Sequence, residues 1–217
     1  MNKFKISTII YDLDGTVADT RADIIEAVRK TMLSFGVAAP GDEEIASFIG
    51  GGARNVLRRA LGEANESRLD EALPFFAETY NANSAVKTRL YDGVREILAY
   101  YEGKKRQTMA TFKSRAGTDN ILKHFDIEKY FEMVVTADDV ERPKPDPECI
   151  NAILERFGLE PGDALLVGDT PTDMKTGRAA GVVVCAVDYG FAPIEELRDY
   201  SPDFEVSNIT EIKKHII

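Results

Sequence analysis

Ser7-Thr8-Ile9-Ile10-Tyr11-Asp12-Leu13-Asp14-Gly15-Thr16 is the stretch that decides the fold. After Ser7, residues 8–11 are β-branched or apolar and give way abruptly to Asp12 and Gly15. That pattern predicts a strand covered on both faces. Four further runs share its character, at residues 107–111, 133–136, 164–167 and 182–187. Apolar residues recur between them at helical spacing: Val94, Ile97, Leu98 and Tyr101, then Ile121, Leu122 and Phe125, then Ile150, Ile153, Leu154 and Phe157. Strand alternating with helix predicts an α/β fold with a doubly wound, Rossmann-like parallel sheet.

One interval breaks the rhythm. The first strand ends at Tyr11 and the second starts near Gln107, far more than the dozen or so residues a crossover needs. The interval has its own helical stripes: Ile24, Val28, Met32 and Phe35; Leu57 and Leu61; Leu69, Leu73, Phe76 and Tyr80. The expected organisation is an α/β core from residues 1–16 and 87–217, with a small helical domain at residues 17–86. Asp19 is the expected N-cap of its first helix.

The chain has 217 residues, a net charge of −10 and 44% hydrophobic residues, enough to build a core. The acidic balance argues against nucleic acid as a partner, because phosphate backbones are held by clustered Lys and Arg. Two cysteines, Cys149 and Cys185, exclude a disulfide scaffold or a cysteine-rich zinc site and suit a reducing compartment. The two histidines, His124 and His215, read as ordinary helix residues. No apolar run approaches the roughly 18 residues of a membrane span. Met1-Asn2-Lys3-Phe4-Lys5 is basic, but Asp12 interrupts the apolar stretch behind it, which argues against a signal peptide. A cytoplasmic monomer or homodimer is expected, with no membrane or nucleic-acid partner.

In open α/β sheets, ligands bind at the carboxyl ends of the strands. Four strand ends here carry polar groups: Asp12-Leu13-Asp14-Gly15-Thr16; Thr111-Phe112-Lys113; Arg142-Pro143-Lys144-Pro145; and Gly168-Asp169-Thr170-Pro171-Thr172-Asp173. Asp138 and Asp139 read as loop or capping residues, and Thr170 with Asp173 also fits a capping box. Two like charges about 4 Å apart cost on the order of 4 kcal/mol at an effective dielectric of about 20. A site holding Asp12, Asp14 and Asp169 therefore calls for a cation. Oxygen donors without a His or Cys cluster point to Mg²⁺, whose affinity for phosphate makes phosphoryl chemistry the natural candidate.

Asp12-Leu13-Asp14-Gly15-Thr16, Thr111, Lys144 and Gly168-Asp169-x-x-x-Asp173 resemble, in order, the four motifs of the haloacid dehalogenase superfamily. The helical insertion resembles the cap of its capped members. Thr16, Arg142-Pro143-Lys144-Pro145-Asp146-Pro147 and Gly50-Gly51-Gly52 look most like the phosphoglycolate phosphatase branch. The resemblance implies a Mg²⁺-dependent phosphatase acting on a small phosphorylated metabolite. It makes Asp12 the nucleophile that becomes an aspartyl-phosphate, and Asp14 the general acid and base. It also has Thr111 bind a phosphoryl oxygen and Lys144 offset charge. It implies Mg²⁺ on the Asp12 carboxylate, the Asp14 main-chain carbonyl and Asp169, with Asp173 supporting the metal site.

Gly15, Thr16, Lys113 and Arg54 are the expected substrate contacts, Arg54 toward a substrate carboxylate. The family often carries Asn where this chain has Phe112. Haloacid dehalogenases carry Tyr in place of Asp14, and phosphonatases lack that Asp, so both chemistries are set aside. An inorganic pyrophosphatase or a sugar phosphomutase of the same superfamily stays open. So do, from other classes, a receiver-like signalling protein and a non-enzymatic phosphate-binding protein.

Overall fold

Thr8, Ile9, Ile10 and Tyr11 form a fully buried strand, β1 (Thr8–Tyr11), in the computed structural model, which describes residues 3–217. Residues 1 and 2, where the expected core segment and the basic start begin, lie outside the described residues. After β1 the chain makes the two-residue β2 (Ala18–Asp19), then α1 (Arg21–Ser34), α2 (Asp42–Ala46), α3 (Gly52–Leu61) and α4 (Leu69–Asn81). It returns through β3 (Arg89–Leu90) to α5 (Val94–Tyr101), β4 (Arg106–Ala110), α6 (Arg115–His124), β5 (Met133–Val135) and α7 (Glu148–Phe157). The last elements are β6 (Ala164–Gly168), α8 (Pro171–Ala180), β7 (Val183–Val187), α9 (Ile194–Arg198), β8 (Phe204–Val206) and α10 (Ile212–His215).

Six strands form one parallel sheet in the order β5-β4-β1-β6-β7-β8, with β1 in the middle. Alternation along the strands sorts the two covered faces. Ile9 and Tyr11 pack with α5, α6 and α10, whereas Ile10 packs with α7. Met174 of α8 and Leu197 of α9 cover Val184 and Ala186 of β7. The near-continuous apolar character of β6 and β7 follows from this double burial.

Helices α1 to α4 enclose a hydrophobic core of their own, from Ile24, Val28 and Met32 through Val56 and Leu57 to Phe76 and Tyr80. The two chain passages joining them to the sheet run side by side, with Ala18 opposite Leu90 and Asp19 opposite Arg89. Buried Asp23 staples that junction. Its carboxylate accepts from the Lys87 amide at 3.0 Å, the Thr88 amide at 2.8 Å and the Thr88 hydroxyl at 2.7 Å.

Asp19 does not take the N-cap position expected of it. Thr20 does, and Asp19 instead accepts from the Arg21 amide at 3.1 Å. The Thr20 hydroxyl is drawn away to Asp14, at 2.6 Å. Asp138 and Asp139 cap as expected: Asp139 closes a capping box with Thr136, and Asp138 accepts from the Arg115 amide at 2.7 Å.

Candidate active site

The carboxyl ends of β1, β4 and β6 and the loop after β5 meet over the middle of the sheet. Asp12, the first residue beyond β1, is tied down by its amide, which donates to the Val167 carbonyl at 2.9 Å. The residue is 5% exposed. The ammonium of Lys144 donates to Asp12 Oδ1 at 2.8 Å, Asp173 Oδ1 at 2.6 Å and the Ala110 carbonyl at 3.1 Å. Three acceptors use every proton an ammonium has. Asp12 Oδ2 has no hydrogen-bond partner among the described residues.

Asp169, fully buried at the end of β6, accepts from the Thr16 hydroxyl and from the Phe191 amide, each at 2.8 Å. The backbone passes very close to it. A Cβ on Gly15 would stand 2.0 Å from Asp169 Oδ2, and one on Gly190 would stand 2.2 Å from its Cβ. Asp173 lies in the first turn of α8. Its Oδ2 accepts from the Thr170 amide at 3.1 Å and hydroxyl at 2.6 Å. Asp173 therefore closes the capping box with Oδ2 and turns Oδ1 to Lys144.

One carboxylate oxygen each from Asp12, Asp169 and Asp173 lies within 4.8 Å of the others. Burial, partly offset by Lys144, pushes Asp12 up to about 7, and Asp173 adds to the rise. Burial and the neighbouring carboxylates hold Asp169 well above the usual carboxylate range. Lys144 stays protonated: burial works against its charge, but Asp12 and Asp173 more than restore it. Lys144 pairs with Asp12 and Asp173 but not with Asp169, and a divalent cation at the cluster would favour the ionised form of all three. The donors are all oxygen, which fits Mg²⁺.

Asp14 stands apart from that cluster. Its carboxylate accepts from Lys113 Nζ at 2.8 Å through both oxygens and from Thr20 at 2.6 Å. Lys113, itself buried, lies 4.5 Å from the centroid of the Tyr80 ring. Burial would lower its basicity, but the Asp14 carboxylate more than compensates and keeps the ammonium protonated.

A cavity of about 150 Å³ opens over these groups. The sheet side supplies Asp12, Asp14, Thr111, Lys113, Lys144 and Asp173; the helical side supplies Ile24, Gly50, Gly52, Val56, Leu73, Phe76, Tyr80 and Asn81. Three expected substrate contacts need correction. Arg54 does not line the cavity: its side chain is 64% exposed and pairs with Asp70 at 2.6 Å. The Thr16 hydroxyl is spent on Asp169, and the Gly15 amide donates to the Ala18 carbonyl at 2.9 Å, because the chain turns tightly there. Free amides lie nearby instead: those of Leu13 and Asp14 have no acceptor among the described residues.

Thr20, Tyr80 and Asn81 escaped the sequence reading. Tyr80 was legible only as the end of an apolar stripe; its ring lies beside Lys113. Phe112 stands where the family often has Asn, and its ring fills the space beside Gly52, where a Cβ would lie 2.1 Å from it.

A doubly wound α/β sheet with a lysine-bridged acidic centre under a helical unit is the architecture of a class of hydrolases. A sequence profile of the haloacid dehalogenase-like hydrolase family matches residues 9–187, and the chain belongs to that family. Among curated relatives it is 35% identical to a phosphoglycolate phosphatase of Nitrosospira multiformis, over 97% of this chain and 96% of the relative. It is 30% identical to an N-acetylmuramic acid 6-phosphate phosphatase of Pseudomonas putida, over 98% and 96%. The fold matches a haloacid dehalogenase-like hydrolase of Streptococcus pneumoniae with a TM-score of 0.88 at 24% identity, covering 96% of this chain and 97% of that one. No helix among the described residues is long and apolar enough to cross a membrane.

Proposed function

We propose that the chain is a Mg²⁺-dependent phosphoric monoester hydrolase that works through an aspartyl-phosphate on Asp12. The observation that carries this reading is the state of Asp12: Lys144 pins one oxygen at 2.8 Å and the other is unpartnered, on a residue lining the cavity. That free oxygen attacks phosphorus, and the bond from phosphorus to the substrate's ester oxygen breaks. Asp14 protonates the leaving oxygen and takes a proton from the water that cleaves the aspartyl-phosphate. Lys113 and Thr20 hold Asp14 for both steps. Thr111 and the free amides beside Asp12 supply donors for phosphoryl oxygens, and Lys144 offsets charge. Asp12 and Asp169 would hold Mg²⁺, with Asp173 bordering them; the bound ion supplies positive charge to the phosphoryl oxygens.

Residues 17–86 serve in this proposal as a cap over a core of residues 1–16 and 87–217. The substrate is a small phosphorylated metabolite, and the protein acts as a cytoplasmic monomer or homodimer. The relatives named phosphoglycolate phosphatase support the reaction class. The test is phosphate release from p-nitrophenyl phosphate with Mg²⁺, for the wild type and for Asp12→Asn. The variant should lose at least about a thousandfold in kcat, because an amide is no nucleophile. Near-wild-type turnover by the variant would rule out the covalent route.

A further inference from the structure

Two donors orient Asp169. The Thr16 hydroxyl meets Oδ1 and the Phe191 amide meets Oδ2, each at 2.8 Å. Each oxygen keeps further lone pairs for a cation. Phe191 belongs to the segment between β7 and α9, residues 188–193. That segment is pressed onto the acid, since a Cβ on Gly190 would stand 2.2 Å from the Asp169 Cβ. A shift of this backbone therefore moves the Phe191 amide and changes the room left to the carboxylate.

Side chains hold the segment in place. The Asp188 amide donates to the Val206 carbonyl at 3.2 Å, but the carbonyls of Gly190 and Phe191 accept no backbone amide among the described residues. Arg21, the first residue of α1, donates from Nη2 to the Gly190 carbonyl at 3.3 Å. Its guanidinium carbon lies 4.8 Å from the centroid of the Phe191 ring, within reach of a cation–π contact. Arg21 forms no salt bridge among the described residues, so its guanidinium is committed to these two contacts. On the other side, the ring of Tyr189 lies 4.7 Å from that of Tyr91, and its hydroxyl donates to the Thr16 carbonyl at 3.1 Å.

We infer that Arg21 is a positioning residue for the metal centre: by holding Gly190 and Phe191 it aims the Phe191 amide at Asp169 Oδ2 and so presets that carboxylate for Mg²⁺. The inference rests on the Mg²⁺ reading above and extends it to a residue outside the cavity lining. Groups that orient a metal ligand govern affinity without touching the ion. The sign of the effect separates positioning from charge. Loss of a nearby cation would by Coulomb interaction alone tighten Mg²⁺ binding, whereas loss of positioning weakens it.

The test titrates the metal-free protein with Mg²⁺ alone and reads binding by calorimetry and by the rise in Tm. Arg21→Ala should raise the Kd by about three- to tenfold, a smaller loss than that of a group bonded directly to a ligand, because Arg21 acts through a backbone segment. Arg21→Lys keeps the charge and a donor for Gly190, and should bind Mg²⁺ more tightly than Arg21→Ala. Should Arg21→Ala fail to fold, Phe191→Leu, which removes the ring beneath the guanidinium and keeps the amide, is measured in its place and should weaken Mg²⁺ likewise. A merely structural role would lower the Tm of the metal-free protein and leave the Kd where it was. A wild-type Kd in the variant that folds, or an Arg21→Lys no tighter than Arg21→Ala, would overturn the inference and leave the Mg²⁺ reading standing. A wild-type protein that binds no Mg²⁺ would overturn both.

Discussion

At the scale of the residue, Gly15 and Arg54 show how a motif can be right in type and wrong in reason. Gly15 reads from sequence as a place where the backbone passes a phosphate. Its amide is instead bonded to Ala18, and what demands glycine is Asp169, which a Cβ would strike at 2.0 Å. Its φ of +87° adds strain for any other residue. Gly15→Ala should destabilise the protein by about 2–4 kcal/mol, combining overpacking with an unfavourable φ, as read by urea unfolding. An unchanged unfolding midpoint would contradict the packing described. Asp12, Asp14, Thr111, Lys144 and Asp169 were legible because each follows a strand end, and the parallel sheet brings strand ends together. Arg54 was misread because its partner, Asp70, belongs to another helix that no local spacing reveals. An exposed pair of this kind contributes little, so Arg54→Ala should change KM for phosphoglycolate by less than about twofold. A large rise would put Arg54 back at the site.

At the scale of the element, α8 shows how a helix start positions chemistry. Thr170 caps the helix and grips one oxygen of Asp173, which leaves the other oxygen aimed at Lys144. Lys144 in turn fixes Asp12. The helix cap thus extends into the candidate catalytic centre. Thr170→Ala should cost about 1 kcal/mol of stability, measured by denaturant unfolding, and should lower kcat as Asp173 loses its anchor. Thr170→Ser keeps the hydroxyl and should behave like the wild type; if both variants fell alike, the cap would not be what holds Asp173. Strands β1, β6 and β7 were readable because double burial makes apolar runs, and the short β4 and β5 were readable from their spacing between helical stripes. The missed elements lack that signal. β8 has three residues, with Glu205 between Phe204 and Val206, and β2 and β3 have two each. Pairing across the junction creates those two short strands, and local sequence does not encode it. The five-residue α2, with Ile45 its one buried residue, is too short for a stripe.

At the scale of the whole molecule, the acidic centre makes folding and metal binding one problem. Asp12 is raised to about 7 and Asp169 also lies above the ordinary carboxylate range, chiefly through burial. A carboxyl group whose pKa is raised on folding binds its proton more tightly in the native than in the unfolded chain. Its contribution is therefore most favourable below the unfolded pKa, near 4, and is lost as pH rises toward the native value near 7. Each unit of difference corresponds to about 1.4 kcal/mol. The metal-free protein should accordingly lose thermal stability between about pH 5 and about pH 8. Mg²⁺ binds the ionised carboxylates and competes with those protons, so millimolar Mg²⁺ should raise Tm more at the upper end of that range than at the lower. The net charge of −10 would by itself also weaken the fold as pH rises, so the decisive comparison is with Asp12→Asn. That change removes one buried charge and leaves the surface untouched; it should flatten the pH slope of the metal-free protein and shrink the Mg²⁺-induced rise. A variant with the wild-type slope and the wild-type response to Mg²⁺ would assign both effects to the surface and leave the carboxylate cluster without a role in either.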